Sequence, residues 1–366
     1  MTTPLIDIVI PNRNKARFLP AALASLAAQT EPRWRATVID GESTDGSLEI
    51  LRAAAARDPR ITVRTARPPS TTGLSFYRAW NQGLLHVRAP CFALLTSDDL
   101  WEPQWIARAL AALEKSPSAV AVAARAIAID VDGEVLGPTP ACRQLEASLA
   151  LEGTGLRTLA SATCCLRGLT LGPLFSTVHA LVFRRRVLEE GGLFPEDVGV
   201  AADIEYYLHA SLLGDILYDL DSRALFRIYP EQASSLVRGA AVTRQWRKIV
   251  VRNRTLVAQR LGIPLGTMTA ATDEILARHL FLMAKPDRAT FRRSKLTAGW
   301  RMACAGLGAP RLLLDYLRCR SDFDRFFTTA VRDLTARLER SIPGPADARV
   351  PRAPVAPPAR ILPHSA

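Results

Sequence analysis

From the N-terminus through Ile129, apolar runs of strand length alternate with apolar positions at helical spacing. Leu5–Ile10 reads as a buried strand, and Ala16–Ala28 as a helix with Leu19, Leu23 and Leu26 on one face. Trp34–Asp40 is the next strand, followed by a helix over Asp45–Arg57, a strand over Ile61–Arg64 and a helix over Gly73–His86. Cys91–Thr96 predicts a fourth strand, and Pro103–Lys115 a helix with proline in its first turn. Ala119–Ile129 predicts another strand, extended by a hairpin through Asp132-Gly133. This β-α order predicts an α/β fold: a Rossmann-like, mostly parallel sheet with helices on both faces. Ligands of such sheets gather beyond the carboxyl ends of the strands.

Residues 138–178, rich in Gly, Pro, Thr and Cys, read as irregular loops over a site. A helix over Ala201–Leu213 and a strand over Ala224–Tyr229 follow. From 240 to 340 the spacing is helical, with Pro264, Pro286 and Pro310 marking breaks, and the proline-rich stretch 341–366 reads as a disordered tail.

Charge sharpens this division. The chain has 366 residues and a formal net charge of +12. Residues 1–237 carry 23 basic and 26 acidic side chains, a net of −3, whereas 238–340 carry 21 and 8, a net of +13. All the excess therefore lies in the last third. Within 241–261, Val242, Trp246, Ile249, Val250 and Val257 follow helical spacing, with Arg244, Lys248 and Arg252 along another side. Such a helix either lies on an anionic membrane surface or packs its apolar face on protein. No aromatic-interleaved basic motif or nucleic-acid reader module is present, so nucleic acid is not expected as a partner. The six cysteines form no CxxC pair, which excludes a zinc ribbon and fits reduced thiols in a cytosol. No apolar run reaches the roughly 18 residues of a membrane span, and no signal peptide is expected at the N-terminus. Cytoplasmic residence, with peripheral membrane contact through 238–340, is the expected location.

The strand ends carry the candidate chemistry. Asp40 closes the second strand, ahead of the turn Gly41-Glu42-Ser43-Thr44-Asp45-Gly46, and is placed to accept an N–H from a base. Ser43 and Asp45 read as helix caps. Asp98 and Asp99 follow the fourth strand as adjacent carboxylates and call for a counter-charge. A hard cation such as Mg2+ or Mn2+, shared with diphosphate oxygens, supplies one; capping of the helix at Pro103 is the alternative. No GxGxxG follows the first strand, which excludes a dinucleotide-dependent dehydrogenase.

Several segments in order carry a resemblance: IDIVIPNRNKARFLPAALASLAAQT, VIDGESTDGS, GLSFYRAWNQGL, FALLTSDDLWEP, ALVFRRRVLEEGGLFPED, AADIEYYLHAS and FRIYPEQASS. Over residues 4–237 the chain resembles the family 2 glycosyltransferases, which have the GT-A fold and bind nucleotide-sugars. The resemblance implies a GT-A catalytic domain over 1–237; beyond it, charge and helical spacing give a basic α-helical appendage over 238–340, and proline content the tail over 341–366. It further implies inverting transfer of a sugar from a nucleotide-diphosphate donor to a hydroxyl of a glycan, polysaccharide or lipid-linked saccharide, assisted by Mg2+ or Mn2+. By the same resemblance, Pro11 and Arg13 lie in the loop under the base, Asp40 binds the base, Asp98 approaches the ribose and Asp99 holds the metal. Ala79, Asn81 and Gly83 match a turn near the diphosphate, or simply a helix and its end.

Inverting transfer needs a base across the pocket from the departing phosphate. Asp203, in Ala202-Asp203-Ile204-Glu205, matches the family's catalytic carboxylate; a first-turn carboxylate favoured by the helix dipole is the alternative. Glu205 is the weaker candidate. Tyr229 stands where the family often has His, and a phenol is a poor ligand for Mg2+ at neutral pH. Arg184, Arg185 and Arg186 read as a solvated run or a diphosphate contact, and His179 as a core histidine or an acceptor contact. A different class of function, a non-catalytic GT-A-like scaffold recruiting a partner or membrane through the basic helices, also accommodates Arg13, Gly41 and Tyr229.

Overall fold

The computed structural model describes residues 3–66, 75–172, 174–232, 240–284 and 323–343. These fall into two compact units, one of residues 3–164 and 174–232, the other of 165–172, 240–284 and 323–343.

The first unit is built on one sheet. Its strands are β1 (Ile6–Asn12), β2 (Trp34–Asp40), β3 (Ile61–Thr65), β4 (Cys91–Leu94), β5 (Leu100–Trp101), β6 (Ala119–Ile129), β7 (Val135–Pro138), β8 (Leu156–Leu159), β9 (Leu181–Arg184) and β10 (Asp215–Arg227). The order is β3-β2-β1-β4-β9-β6-β10-β5, with β7 on β6 and β8 on β10. β1 pairs in parallel with both β2 and β4, and β6 with β10. β9 runs antiparallel between β4 and β6. Six strands thus share one direction, as the alternating pattern predicts. Their carboxyl ends bring Asn12, Asp40 and the 95–99 loop to one edge.

The helices are α1 (Leu19–Ala27), α2 (Ser47–Arg57), α3 (Ser75–Leu84), α4 (Trp105–Lys115), α5 (Pro140–Leu149), α6 (Ser161–Leu171), α7 (Arg185–Gly191) and α8 (Ala202–Leu213); of these α1 to α4 and α8 follow the expected order. α3 lies unusually close to β1. A Cβ on Gly83 would meet Val9 Cγ1 at 2.1 Å, so only glycine allows this approach. Asn81, two residues away, fixes α3 from its other side: its amide donates to the Phe194 carbonyl and accepts from the Phe194 N–H, both at 2.9 Å.

Two expectations are corrected. Residues 138–178 are not irregular but form α5, β8 and most of α6. Thr139 caps α5 by accepting from the Cys142 N–H, with Pro140 in the first turn. The final strand begins at Asp215 rather than Ala224, and its register slips between Asp219 and Arg223. That irregularity breaks the apolar pattern and hid its first half. Arg125, half-buried in the middle of β6, is satisfied by a bidentate pair with Glu146 of α5 at 2.7 and 3.1 Å.

The second unit contains α9 (Ala240–Leu261), α10 (Leu265–Ala284) and α11 (Phe323–Arg340). Pro264 separates the first two; Pro286 and Pro310 lie outside the described residues, as does the tail from residue 344. Trp246, Ile249, Val250 and Val257 of α9 are buried, as are Met268 and Ile275 of α10 and Val331, Leu334 and Leu338 of α11. The apolar face of the basic helix is therefore covered by protein. Thr335 donates to Thr170 at 2.8 Å and Arg167 pairs with Glu339 at 3.3 Å within the same unit. No described helix is long and apolar enough to cross a membrane.

Candidate active site

A cavity of about 260 Å³ opens at the carboxyl edge of the sheet. Pro11, Arg13, Lys15 and Gly41 line one side, Asp98 and Asp99 the floor, and Tyr77, Ala79, Thr177 and Asp203 the other side. The chain thus brings together five of the six residues singled out from sequence. Asp40 is the exception.

Asp40 is wholly buried and does not line the cavity. Its Oδ1 accepts from Asn12 Nδ2 and Ser43 Oγ, both at 2.7 Å, and its Oδ2 from the Ser43 N–H at 2.9 Å. The neighbouring Gly41 takes the cavity wall instead. The Asp40 carboxylate therefore holds the two loops in register. Further bonds fasten the β1 loop: Asn14 N–H donates to Ser43 Oγ at 2.9 Å, Lys15 N–H to Ser47 Oγ at 3.0 Å and Ala16 N–H to Asp45 Oδ2 at 2.8 Å. Asp45 Oδ1 also accepts the Ser47 N–H at 3.0 Å, from one residue before Gly46, which is the N-cap of α2. Arg13 projects from this loop with its side chain exposed and makes no hydrogen bond among the described residues.

The two adjacent aspartates differ. Asp99 is buried; its Oδ1 accepts the Arg227 N–H at 2.7 Å and its Oδ2 accepts from Thr96 Oγ1. His179 Nδ1 lies 3.1 Å from the same Oδ2 and 2.6 Å from Thr177 Oγ1. Arg227 in turn donates to the Asp98 carbonyl at 2.9 Å and to the Asp130 and Val131 carbonyls at 2.7 and 2.9 Å. Asp99 is thus a clamp between the β4 loop and the end of β10. Asp98 faces a cation: Lys15 Nζ is 2.9 Å from its Oδ2, and the Tyr229 hydroxyl donates to the same oxygen and accepts from Lys15. Burial, then the charge of Asp98, pushes the Tyr229 phenol well up, so it stays neutral and keeps its proton to donate.

These donors bear on a divalent ion. Both Asp99 oxygens are taken by protein donors and Asp98 Oδ2 by the Lys15 ammonium, which leaves Asp98 Oδ1 without a protein donor among the described residues. Among the described residues no three His, Cys, Asp or Glu side chains gather to hold an ion. A divalent ion here would therefore rest on Asp98 Oδ1 and on oxygens of the donor diphosphate, with Asp99 committed to Arg227 and Thr96.

Asp203 opens α8. Its backbone N–H lies 3.4 Å from the Tyr77 hydroxyl, which itself donates to the Val200 carbonyl at 3.0 Å. Its Oδ1 accepts the Ile204 N–H at 2.8 Å. Desolvation pushes the carboxyl up to about 7, outweighing the backbone N–H groups that favour its charged form. Glu205, by contrast, is buried away from the cavity, 3.9 Å from His209.

The sequence model described as Glycosyl transferase family 2 matches residues 7–190, half of the chain. The chain belongs to this family. Over 270 residues the transferase is 23% identical to an uncharacterized glycosyltransferase of Haemophilus influenzae, covering 74% of this chain and 79% of that one. A PGL/p-HBAD biosynthesis glycosyltransferase of Mycobacterium bovis is 34% identical over 120 residues, 32% of this chain and 45% of the relative. The chain spans 38% of a putative teichuronic acid biosynthesis glycosyltransferase of Bacillus subtilis, at 29% identity and over 27% of its own length. Among solved structures, S. aureus TarS 1-349 in complex with UDP-GlcNAc superposes with a TM-score of 0.55 at 18% identity, covering 91% of each chain. The mannosyltransferase PcManGT of Pyrobaculum calidifontis, in complex with GDP-Man and Mn2+, gives 0.53 at 16%, covering 92% and 87%. These two share the GT-A fold with the transferase.

Several sequence candidates have structural work. Arg184 donates to the Ala119 and Leu113 carbonyls at 2.8 and 2.6 Å, Arg185 pairs with Glu189 and Arg186 donates to the Ser118 carbonyl at 3.2 Å; none lines the cavity. They are neither a solvated run nor a diphosphate contact. His179 is fully buried and stacks on Phe226, with its Nε2 unpartnered among the described residues. Lys15, Tyr77 and Thr177 were missed. Lys15 was findable, since it sits on the same strand-end loop as Pro11 and Arg13.

Proposed function

We propose that the transferase is an inverting glycosyltransferase that moves a sugar from a nucleotide-diphosphate donor to a hydroxyl acceptor, with Asp203 as general base. The observation that carries this is one carboxyl with its pKa raised to about 7, in the same cavity as the basic β1 loop and Asp98. A base with that pKa is largely ionised just above neutrality and still accepts a proton readily, the condition general-base catalysis favours. The acceptor oxygen attacks the anomeric carbon opposite the departing phosphate, and its proton passes to Asp203. The carbon–oxygen bond to the diphosphate breaks and its electron pair leaves with the phosphate. Pro11 and Arg13 form the base side of the donor site, where the planar Arg13 guanidinium stacks on the ring. Asp40 acts by fixing that loop, and Asp98 faces the ribose and diphosphate.

The TarS complex with UDP-GlcNAc and the mannosyltransferase complex with GDP-Man support a nucleotide-sugar donor. The relatives named for teichuronic acid and PGL/p-HBAD biosynthesis support a glycan or lipid-linked acceptor. The Mn2+ of the mannosyltransferase belongs to that protein; the Asp99 carboxylate here is committed to protein donors, and no step is drawn through an ion. In this reading all these roles belong to a catalytic domain over 1–237, with 238–340 as a basic helical region.

The test is a screen of UDP-, GDP-, ADP-, CDP- and TDP-linked sugars for slow donor hydrolysis, with Asp203→Asn as control. Turnover by the natural chain and loss of it in Asp203→Asn, with donor binding kept, is the expected result. Equal hydrolysis by the variant removes Asp203 as base, and the absence of any turnover favours a scaffold role.

A further inference from the structure

We propose that Lys15 is the cation of this site: its ammonium, held against Asp98 and Tyr229, meets the donor diphosphate, and binding and transfer need no divalent metal. The inference rests on the nucleotide-sugar assignment and goes beyond it.

Lys15 Nζ is 2.9 Å from Asp98 Oδ2 and also donates to the Tyr229 hydroxyl. An ammonium has three N–H donors, so one remains for a ligand. Lys15 lines the cavity beside Asp98, and its side chain keeps 24% exposure, enough to reach a ligand without unfolding its loop. That loop is rigid: the main-chain N–H groups of Asn14, Lys15 and Ala16 are each bonded to the α2 entry. Of the other cavity cations, Arg13 is assigned to the base side of the donor site, and two are committed elsewhere. Arg227 is spent on three carbonyls, and Arg78 pairs with Glu196 at 3.0 Å.

The carboxylate chemistry points the same way. Where a divalent ion serves such a site, it needs carboxylate oxygens facing the diphosphate. Here Asp99 gives its oxygens to Arg227 and Thr96 and Asp98 Oδ2 gives its charge to Lys15, which leaves the single Asp98 Oδ1 for an ion. Tyr229 suits this arrangement. A neutral phenol accepts from the ammonium and donates to the carboxylate, whereas it makes a poor ligand for Mg2+. During transfer Lys15 stays protonated and neutralises charge that develops on the departing phosphate oxygen, as fixed cations do in phosphate-leaving reactions. The acceptor proton still goes to Asp203, so the lysine takes part in no proton transfer.

The experiment titrates the full chain with UDP, GDP, ADP, CDP and TDP by calorimetry, in EDTA and in Mn2+, beside Lys15→Met and Lys15→Arg. At least one diphosphate is expected to bind in EDTA with affinity that Mn2+ does not raise. Lys15→Met should weaken that binding roughly 10- to 100-fold, the loss of one charge-assisted hydrogen bond. It should leave the affinity for the matching nucleoside unchanged, and Lys15→Arg should recover most of the loss. Binding that appears only with Mn2+ overturns the role of Lys15 alone, as does unchanged diphosphate affinity in Lys15→Met. Binding of no diphosphate under either condition overturns the nucleotide-sugar assignment, and the lysine's role falls with it. Should Lys15→Met fail to fold, the comparison of EDTA with Mn2+ on the natural chain decides.

Discussion

Replacing Asp203 by Asn should stabilise the protein at alkaline pH while abolishing transfer. Burial raises the Asp203 carboxyl from its ordinary 3.8 to about 7. Each unit of such a difference corresponds to about 1.4 kcal/mol, so the ionised side chain costs the fold up to roughly 4 kcal/mol. Asp203 is only partly covered, and water entering the cavity lowers the figure, so about 2–4 kcal/mol is the expected range. The direction follows from proton counting. Below pH 3.8 the carboxyl is neutral whether the chain is folded or not, and it carries no penalty. Between 3.8 and about 7 the unfolded chain has released the proton and the folded chain has not, so stability falls as pH rises. Above about 7 the folded form ionises too, and the penalty is complete.

Asparagine keeps the shape and still accepts from the Ile204 N–H, but it has no charge to bury. Denaturant unfolding of both proteins from pH 4 to 8, followed by tryptophan fluorescence, measures the difference. Trp34, Trp80, Trp101 and Trp105 all lie in the first unit, so the signal reports mainly on it. The variant should match the natural chain near pH 4 and gain progressively to pH 8, while the transfer rate falls by a factor of roughly 10² to 10⁴. In the natural chain the rate should rise through pH 7 as the base ionises. A stability difference that does not change with pH would refute the desolvation argument, whatever the effect on rate.

Three further substitutions test the frame around the site. Asp99→Ala strands the buried Arg227 N–H and should lower stability by about 1–3 kcal/mol, seen as a fall in Tm, while a donor still binds in EDTA. Gly83→Ala places a methyl 2.1 Å from Val9 Cγ1 and should cost about 1–3 kcal/mol by thermal unfolding, since α3 must move off β1. Thr139→Ala removes the cap of α5 and should cost about 1 kcal/mol in the same assay, with donor binding unchanged.

The sheet was legible because strands buried on both faces read as continuous apolar runs. β1, β4 and β6 follow this rule, β2 alternates in its first half, and the carboxyl ends of these strands locate the cavity. α5 and β8 were not, because each is short and half-exposed, so its periodicity is faint; the Thr139-Pro140 pair was the one local sign of the helix. The first half of β10 was lost to the slip after Asp219, which puts consecutive residues out of alternation. For the site, Asp98 and Asp99 were found from their place at a strand end, and Asp203 from the family resemblance of its segment. Their partners were not, because a bond between Lys15 and Tyr229 joins residues 214 positions apart, and no spacing rule reaches that far. Asp40 shows the same limit from the other side. Its position at a strand edge suggests an exposed acceptor, but Asn12 and Ser43, from two different loops, close over it.

Those long-range partners change the electrostatic logic of the cavity. Two opposed demands meet there: a carboxyl that must stay a base and a diphosphate that must be neutralised. A fixed ammonium near Asp203 would hold that carboxyl ionised and lower its basicity. Lys15 instead has Asp98 beside it, which takes up the positive charge while no donor is bound, and Asp203 is left to desolvation, which raises it to about 7. A donor phosphate would then draw on the same ammonium without replacing the Asp98 contact, because the third N–H is spare. Tyr229 makes the pair possible, since its neutral hydroxyl bonds both partners and adds no charge of its own. Tyr229→Phe should therefore act on both halves: diphosphate affinity falls as Lys15 loses one anchor, while the Asp203-controlled pH profile stays in place. A shift of that profile in Tyr229→Phe would mean that the two charges are coupled and that the division drawn between them is wrong.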